Sequence, residues 1–136
     1  MKMAILVDSS IFCAYVNVRD VHHGAAKIIV GEIASGKHGR AVTTDYIFDE
    51  SVTVALRKAN KKTAVELGGF ILDSELLLAE INSHVFKKAW DLFRKNGALS
   101  FTDCSSIAFM NVFGISKIAT FDRDFKGVKG VEVVGF

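Results

Sequence analysis

The chain has 136 residues, which is room for one core and no separate regulatory module. Half of the residues are apolar and 24% are charged, a balance that excludes a disordered tail or a fibrous repeat. Seventeen basic against 15 acidic residues leave +2, too small an excess to name a partner, and the two cysteines, Cys13 and Cys104, form neither a metal-ligand pattern nor a disulfide framework, so a reduced, cytoplasmic home is expected.

No apolar run approaches the roughly 20 residues of a membrane span, so no membrane partner is expected. Proline is absent, and 11 glycines must supply most tight turns. Short β-branched runs alternate with longer amphipathic stretches, the pattern of a parallel sheet with crossover helices. Ala4-Ile5-Leu6-Val7 is a continuous apolar run suited to a strand buried on both faces. A short helical turn follows at about Ser10–Tyr15, and Asp20 is placed to cap a helix through His22–Ser35 that ends at Gly36–Gly39. Ala41–Thr43 reads as a second strand, after which Thr44 or Asp45 caps a long helix to about Ala59. Lys62–Leu72 is a further helix. Glu75–Ala79 fits a strand, although its leucines fit a helix almost as well. Ser83–Asn96 is helical, stopping at Asn96-Gly97. A helix over Ser100–Val112 and strands at Lys117–Thr120 and Val131–Val134 complete the chain. The expectation is a single α/β domain over residues 1–136 in three layers, a central parallel sheet of about five strands with helices on both faces.

In an open parallel sheet, ligands bind beyond the carboxyl ends of the strands. Asp8 directly follows the first strand, and Asp122 follows the strand ending at Thr120. Either could be an ordinary loop-capping aspartate. Glu50 shares a helix face with Tyr46, Ile47, Val54 and Arg57, with no basic residue at i+4, and an acid on a mainly apolar stripe is costly unless paired or metal-bound. Asp49 faces elsewhere and reads as surface. Asp103 opens a helix three residues after Ser100, a capping box in its own right, and capping does not exclude ligation. Taken together, the four acids fall where the carboxyl edge of the sheet would be. Gathered carboxylates suit a hard divalent cation, Mg²⁺ or Mn²⁺. His22, His23, His38 and His84 read as surface residues. Phe101, Phe109, Phe113, Phe121 and Phe125 read as core.

Four segments carry a resemblance: Ile5–Ser10, Thr43–Glu50, Leu99–Asp103 and Ala119–Phe125. In that order, with their apolar flanks, they resemble the acidic motifs of PIN-domain ribonucleases. The overall cast is similar to the VapC-type toxins of toxin–antitoxin pairs, especially archaeal ones. The resemblance implies a PIN-like fold and a metal-dependent endoribonuclease that leaves a 5′-phosphate and a 3′-hydroxyl. Asp8, Glu50, Asp103 and Asp122 match the family's catalytic, metal-binding quartet, with Asp124 as a less settled further match. Ser10 and Thr120 match supporting polar positions. A cognate antitoxin and a homodimer are implied as partners, beside the RNA substrate.

RNA must also be held, and Arg57 and Lys58, on the helix of Glu50, are the expected phosphate contacts. Two rivals stand. A phosphoryl-transfer α/β domain also sets aspartates at strand ends, but the dehalogenase type wants an acid at position 10, where Ser10 stands, and a receiver wants a lysine after a later strand, whereas Lys117 precedes its own. The other rival is a PIN scaffold that binds RNA or protein without cutting.

Overall fold

The computed structural model describes residues 3–95 and 97–136. Strand β1 (Ala4–Val7) leads into α1 (Ser9–Val16) and α2 (His23–Ala34). Then come β2 (Arg40–Thr44), α3 (Asp45–Lys58), α4 (Lys61–Asp73), β3 (Leu77–Ala79), α5 (Ser83–Lys95) and α6 (Phe101–Phe113). The chain closes with β4 (Lys117–Ala119), a 3-10 turn (Arg123–Phe125) and β5 (Glu132–Val134). The expected stop of α5 at Asn96 lies outside the described residues.

Neighbouring residues of a strand point to opposite faces of its sheet. Ile5, Leu6 and Val7 are nonetheless all at most 1% exposed, so β1 is covered on both faces and lies at the centre. The order is β3-β2-β1-β4-β5, and every pairing is parallel. Leu6 stands opposite Val42 on one side and Ile118 on the other. The chain runs outward from β1 through β2 to β3, then returns to build β4 and β5 on the other side. That reversal opens a crevice at the carboxyl ends of β1 and β4, where ligands of such sheets bind.

Helix α6 is buried from Asp103 through Met110, as a helix with no polar face must be. It packs against α5, which buries Val85 and Ala89 and leaves Phe86, Trp90 and Phe93 partly exposed. Phe101, at the start of α6, meets Tyr46, Phe86 and Phe93 at centroid distances of 6.2, 5.4 and 5.8 Å.

Several local expectations are corrected. The expected turn at Ser10–Tyr15 is a full helix, extended by Ser9 at its start and Val16 at its end. Asp20 does not cap α2. The cap position is His22, and the Asp20 carboxylate instead accepts the His22 N–H at 2.8 Å in a tight turn. Thr44, not Asp45, caps α3, accepting the Ile47 N–H at 3.1 Å. The 75–79 ambiguity resolves as a short edge strand, because β2 offers Leu77–Ala79 a parallel partner. His38 is not a surface residue: it is buried, and its Nε2 sits 2.9 Å from a Glu32 carboxylate oxygen. Phe113 leaves the core at the last turn of α6, 54% exposed and leaning on Phe109.

Candidate metal centre

Asp8 is the first residue beyond β1, and its N–H still donates to Ala119 O at 3.0 Å, which pins it to the crevice. The side chain is 2% exposed. Its Oδ2 accepts two hydroxyl protons, from Thr120 Oγ1 at 2.7 Å and Ser10 Oγ at 3.0 Å. Those hydroxyls accept in turn, Thr120 from the Asp122 N–H and Ser10 from the Phe121 N–H, both at 3.0 Å. One small network thus stitches the end of β1, the start of α1 and the loop after β4 together.

The other acids arrive from three directions. Because Thr44 caps α3 at the carboxyl end of β2, Glu50 comes half-buried in the second turn, where Ser9 Oγ donates to its Oε1 at 2.5 Å. Asp103 forms the expected capping box with Ser100 and is nonetheless only 7% exposed. Asp122 opens the 3-10 turn, its Oδ1 accepting the Asp124 N–H at 2.9 Å, which curls Asp124 back. As a result, carboxylate oxygens of Asp103, Asp122 and Asp124 all lie within 4.8 Å of one another. Among the described residues this trio, rather than the quartet of the sequence, is the tightest acidic group. Asp8 and Glu50 belong to the same electrostatic site at its rim.

Burial pushes Asp8, Glu50 and Asp103 above the usual carboxylate range, Asp103 to about 7. For Asp8, the hydroxyl bonds from Thr120 and Ser10 pull the other way without winning. Neighbouring acids add to the rise: Asp122 acts on Asp8, Asp8 on Asp103 and Glu50, and Asp122 on both. The ion pairs among the described residues, Lys37–Glu32, His38–Glu32 and Arg94–Asp91, include none of these acids. Two unit charges 4 Å apart repel by about 4 kcal/mol at an effective dielectric near 20, so such a group wants a cation. The donors are all hard oxygens, with no thiolate or imidazole in the trio, which suits a hard divalent cation such as Mg²⁺ or Mn²⁺.

Not every expected residue converges. Arg57 and Lys58 are exposed in the last turn of α3, about 10 Å along the helix from Glu50 at 1.5 Å per residue. Two neighbours were missed in the sequence: Ser9, which donates to Glu50, and His22, stacked on Phe121. Ser9 stands beside Asp8 in the first motif and could have been found there. His22 could not, because nothing local ties it to residue 121. An apolar cavity of about 970 Å³, lined by Tyr15, Val30, Ile33, Phe70 and Leu76 among others, contains none of the acids. Of the trio, Asp103 is buried, Asp122 half-buried and Asp124 exposed, so the group reaches solvent on the Asp124 side.

Residues 5–131 match the PIN domain family. The chain is 28% identical over 131 residues to the 23S rRNA-specific endonuclease VapC20 of Mycobacterium tuberculosis, spanning 95% of this chain and 97% of that protein. It is 34% identical over 108 residues to a VapC ribonuclease of Archaeoglobus fulgidus, spanning 76% and 68%. The crystal structure of the M. tuberculosis VapC20, a toxin cleaving the sarcin–ricin loop, superposes with a TM-score of 0.82 at 26% identity, covering 93% of this chain and 98% of that one. The fold also matches VapBC2 of Rickettsia felis bound to a promoter DNA fragment, with a TM-score of 0.73 at 12% identity over 98% and 99% of the two chains.

Proposed function

We infer that this chain, which belongs to the PIN-domain family and has VapC ribonucleases as relatives, is a VapC-type toxin that hydrolyses RNA phosphodiester bonds with a divalent metal ion. Membership in that family disposes of the phosphoryl-transfer rival. One observation carries the metal assignment: Asp103, Asp122 and Asp124 converge within 4.8 Å, and no basic side chain among the described residues pairs with them.

In this reading Asp103, Asp122 and Asp124 supply oxygen ligands, and Asp8 and Glu50 add the negative charge that keeps a divalent ion in place. When bound, Mg²⁺ or Mn²⁺ would polarise the scissile phosphate and make an attacking water easier to deprotonate. Ser10 and Thr120 hold Asp8 in one rotamer, and Ser9 does the same for Glu50. In the metal-free chain burial holds the Asp103 carboxyl up at about 7, so metal binding there would displace its proton. Arg57 and Lys58 contact RNA phosphates at a distance from the cut.

The substrate class we propose is a structured ribosomal RNA loop, by analogy with the 23S rRNA target in the name of the M. tuberculosis relative. The partner we propose is an antitoxin that covers the acids with a basic side chain and competes with the metal. The chain also forms a homodimer in this proposal, and the exposed Phe86, Trp90 and Phe93 of α5 favour such association. The test is cleavage of a sarcin–ricin stem-loop and of single-stranded RNA, with Mg²⁺, Mn²⁺ or EDTA. Cutting only with metal supports the reading. Cutting that persists in EDTA removes the metal, and RNA binding without cutting favours a non-catalytic scaffold.

A further inference from the structure

Beside the acids, two rings from distant parts of the chain lie face to face. The His22 imidazole stacks on Phe121 with centroids 4.4 Å apart and planes within 10°. Phe121 is fixed: it is 9% exposed, and its N–H donates to Ser10 Oγ at 3.0 Å. It stands between Thr120, which donates to Asp8, and Asp122, a member of the acidic trio. Adjacent Cα atoms are about 3.8 Å apart, so the stack starts at the border of the site.

His22 itself is exposed, so the imidazole face turned away from Phe121 meets solvent. Its backbone is held on both sides, the N–H donating to Asp20 Oδ1 at 2.8 Å and the carbonyl accepting from Ala26 N–H at 2.8 Å. Val18 and Val21, in the same loop, are also exposed, at 77% and 90%. A ring kept only for packing would be covered, and a ring kept for charge would face an acid. Among the described residues, His22 forms no ion pair. What remains is a flat, propped surface with one open π-face.

We propose that the His22–Phe121 stack is a base-binding ledge: the open imidazole face takes the nucleobase next to the scissile bond and so sets the phosphate over Asp103, Asp122 and Asp124. The inference rests on the nuclease reading above and adds a substrate-positioning residue to it. Stacking of this kind accepts any base, because every base has a π-face, and its loss weakens binding by about five- to a hundredfold.

The experiment uses, with Mn²⁺, whichever of the two RNAs above the wild-type protein cuts, the sarcin–ricin stem-loop or the single-stranded RNA. His22→Ala raises KM roughly tenfold with kcat near the wild-type value, and His22→Phe restores KM. An abasic nucleotide beside the cut raises KM for the wild type and leaves that of His22→Ala unmoved. A His22→Ala protein with the wild-type KM overturns the ledge. So do equal losses in His22→Ala and His22→Phe with lowered melting temperatures, which would make the ring a structural prop. An abasic effect of the same size in both proteins overturns it as well. A wild type that cuts neither RNA with Mn²⁺ overturns the nuclease reading itself, and the ledge with it.

Discussion

Thr120 Oγ1 donates to Asp8 Oδ2 across 2.7 Å, although 112 residues separate the two in the chain. Register explains the meeting. Val7 is paired with Ala119 in adjacent parallel strands, so the next residue of each strand arrives at the same height on the carboxyl edge. The Thr120 hydroxyl also accepts the Asp122 N–H, so one group serves two acids of the site.

Thr120→Val keeps the shape and removes that hydroxyl. It strips one donor from Asp8 and leaves the Asp122 N–H without its acceptor. The expected cost is about 1–3 kcal/mol in urea unfolding, with slower RNA cleavage although every acid is intact. Thr120→Ser should recover most of both. A Thr120→Val protein that is as stable and active as the wild type would leave the hydroxyl without a role.

The second prediction concerns pH. Asp103 titrates near 7 in the folded chain against an ordinary value of 3.8, and Asp8 and Glu50 are displaced in the same direction. A folded acid with a raised pKa binds its proton more tightly than the unfolded chain does. Its favourable contribution is therefore full below about 4 and lost as pH climbs through about 7. Metal-free protein should melt lower at roughly pH 8 than at pH 5.5, and Mn²⁺ should flatten that slope because the ion replaces the protons. Cleavage should rise over the same interval. Melting curves in EDTA across this range check it, and a flat profile would mean that neither burial nor the neighbouring acids raise these carboxyls.

How much of this was legible in the sequence follows from the range of each interaction. Strand β1 was legible because a buried parallel strand is written as an unbroken apolar run, and β2 and β4 because short β-branched runs stand between helical stretches. The capping box of α6 was legible because Ser100 and Asp103 lie three residues apart. Asp8 and Asp122 could be placed at strand ends for the same local reason. The rest depends on folding. Asp124 was only a less settled match because it joins the trio through a turn of the backbone at Asp122, and His38 was read as surface because its burial depends on a bond to Glu32. His22 finds Phe121 from the far end of the chain, and no periodicity in the sequence links the two.

The third prediction tests the frame around Thr120. Gly135 has φ +156°, and a Cβ there would strike the Thr120 carbonyl oxygen. That part of the chain is fixed, since the Thr120 N–H donates to Val134 O at 3.0 Å. Gly135→Ala should therefore push Thr120 away from Asp8, lowering the melting temperature and cleavage together. Gly31→Ala is the control, a helix position where an added Cβ meets nothing within 4 Å and where alanine is expected to be neutral or stabilising. Equal behaviour of the two variants would show that the end of β5 does not bear on the site.

The last prediction separates a metal site from ordinary structural acids, through Asp8→Asn. A capping role for Asp8 is already disfavoured by geometry: it occupies the N-cap position of α1, yet its side chain makes no cap hydrogen bond. Two effects then compete. Asparagine keeps an oxygen to accept from Thr120 and Ser10, but its amide needs a new acceptor in a buried place. Against that, it removes a charge which burial and Asp122 both disfavour. The direction of the Asp8 shift says that the charge penalty exceeds the help from its hydrogen bonds, so neutralisation should be favourable when the carboxylate would be ionised. Asp8→Asn is expected to raise the metal-free melting temperature at roughly pH 8, to raise it less at pH 5.5, and to abolish cleavage. Asp49→Asn, at an exposed position on the same helix as Glu50, should do neither. Mn²⁺ should stabilise the wild type by roughly 2.7 kcal/mol at 100 times its dissociation constant, and Asp8→Asn by less, because a source of negative charge has gone. The measurement is melting of both proteins in EDTA and in Mn²⁺ at the two pH values. A wild type indifferent to Mn²⁺, with an Asp8→Asn variant that melts lower in EDTA at both pH values, would mean that Asp8 holds the crevice through its hydroxyl bonds and binds no ion.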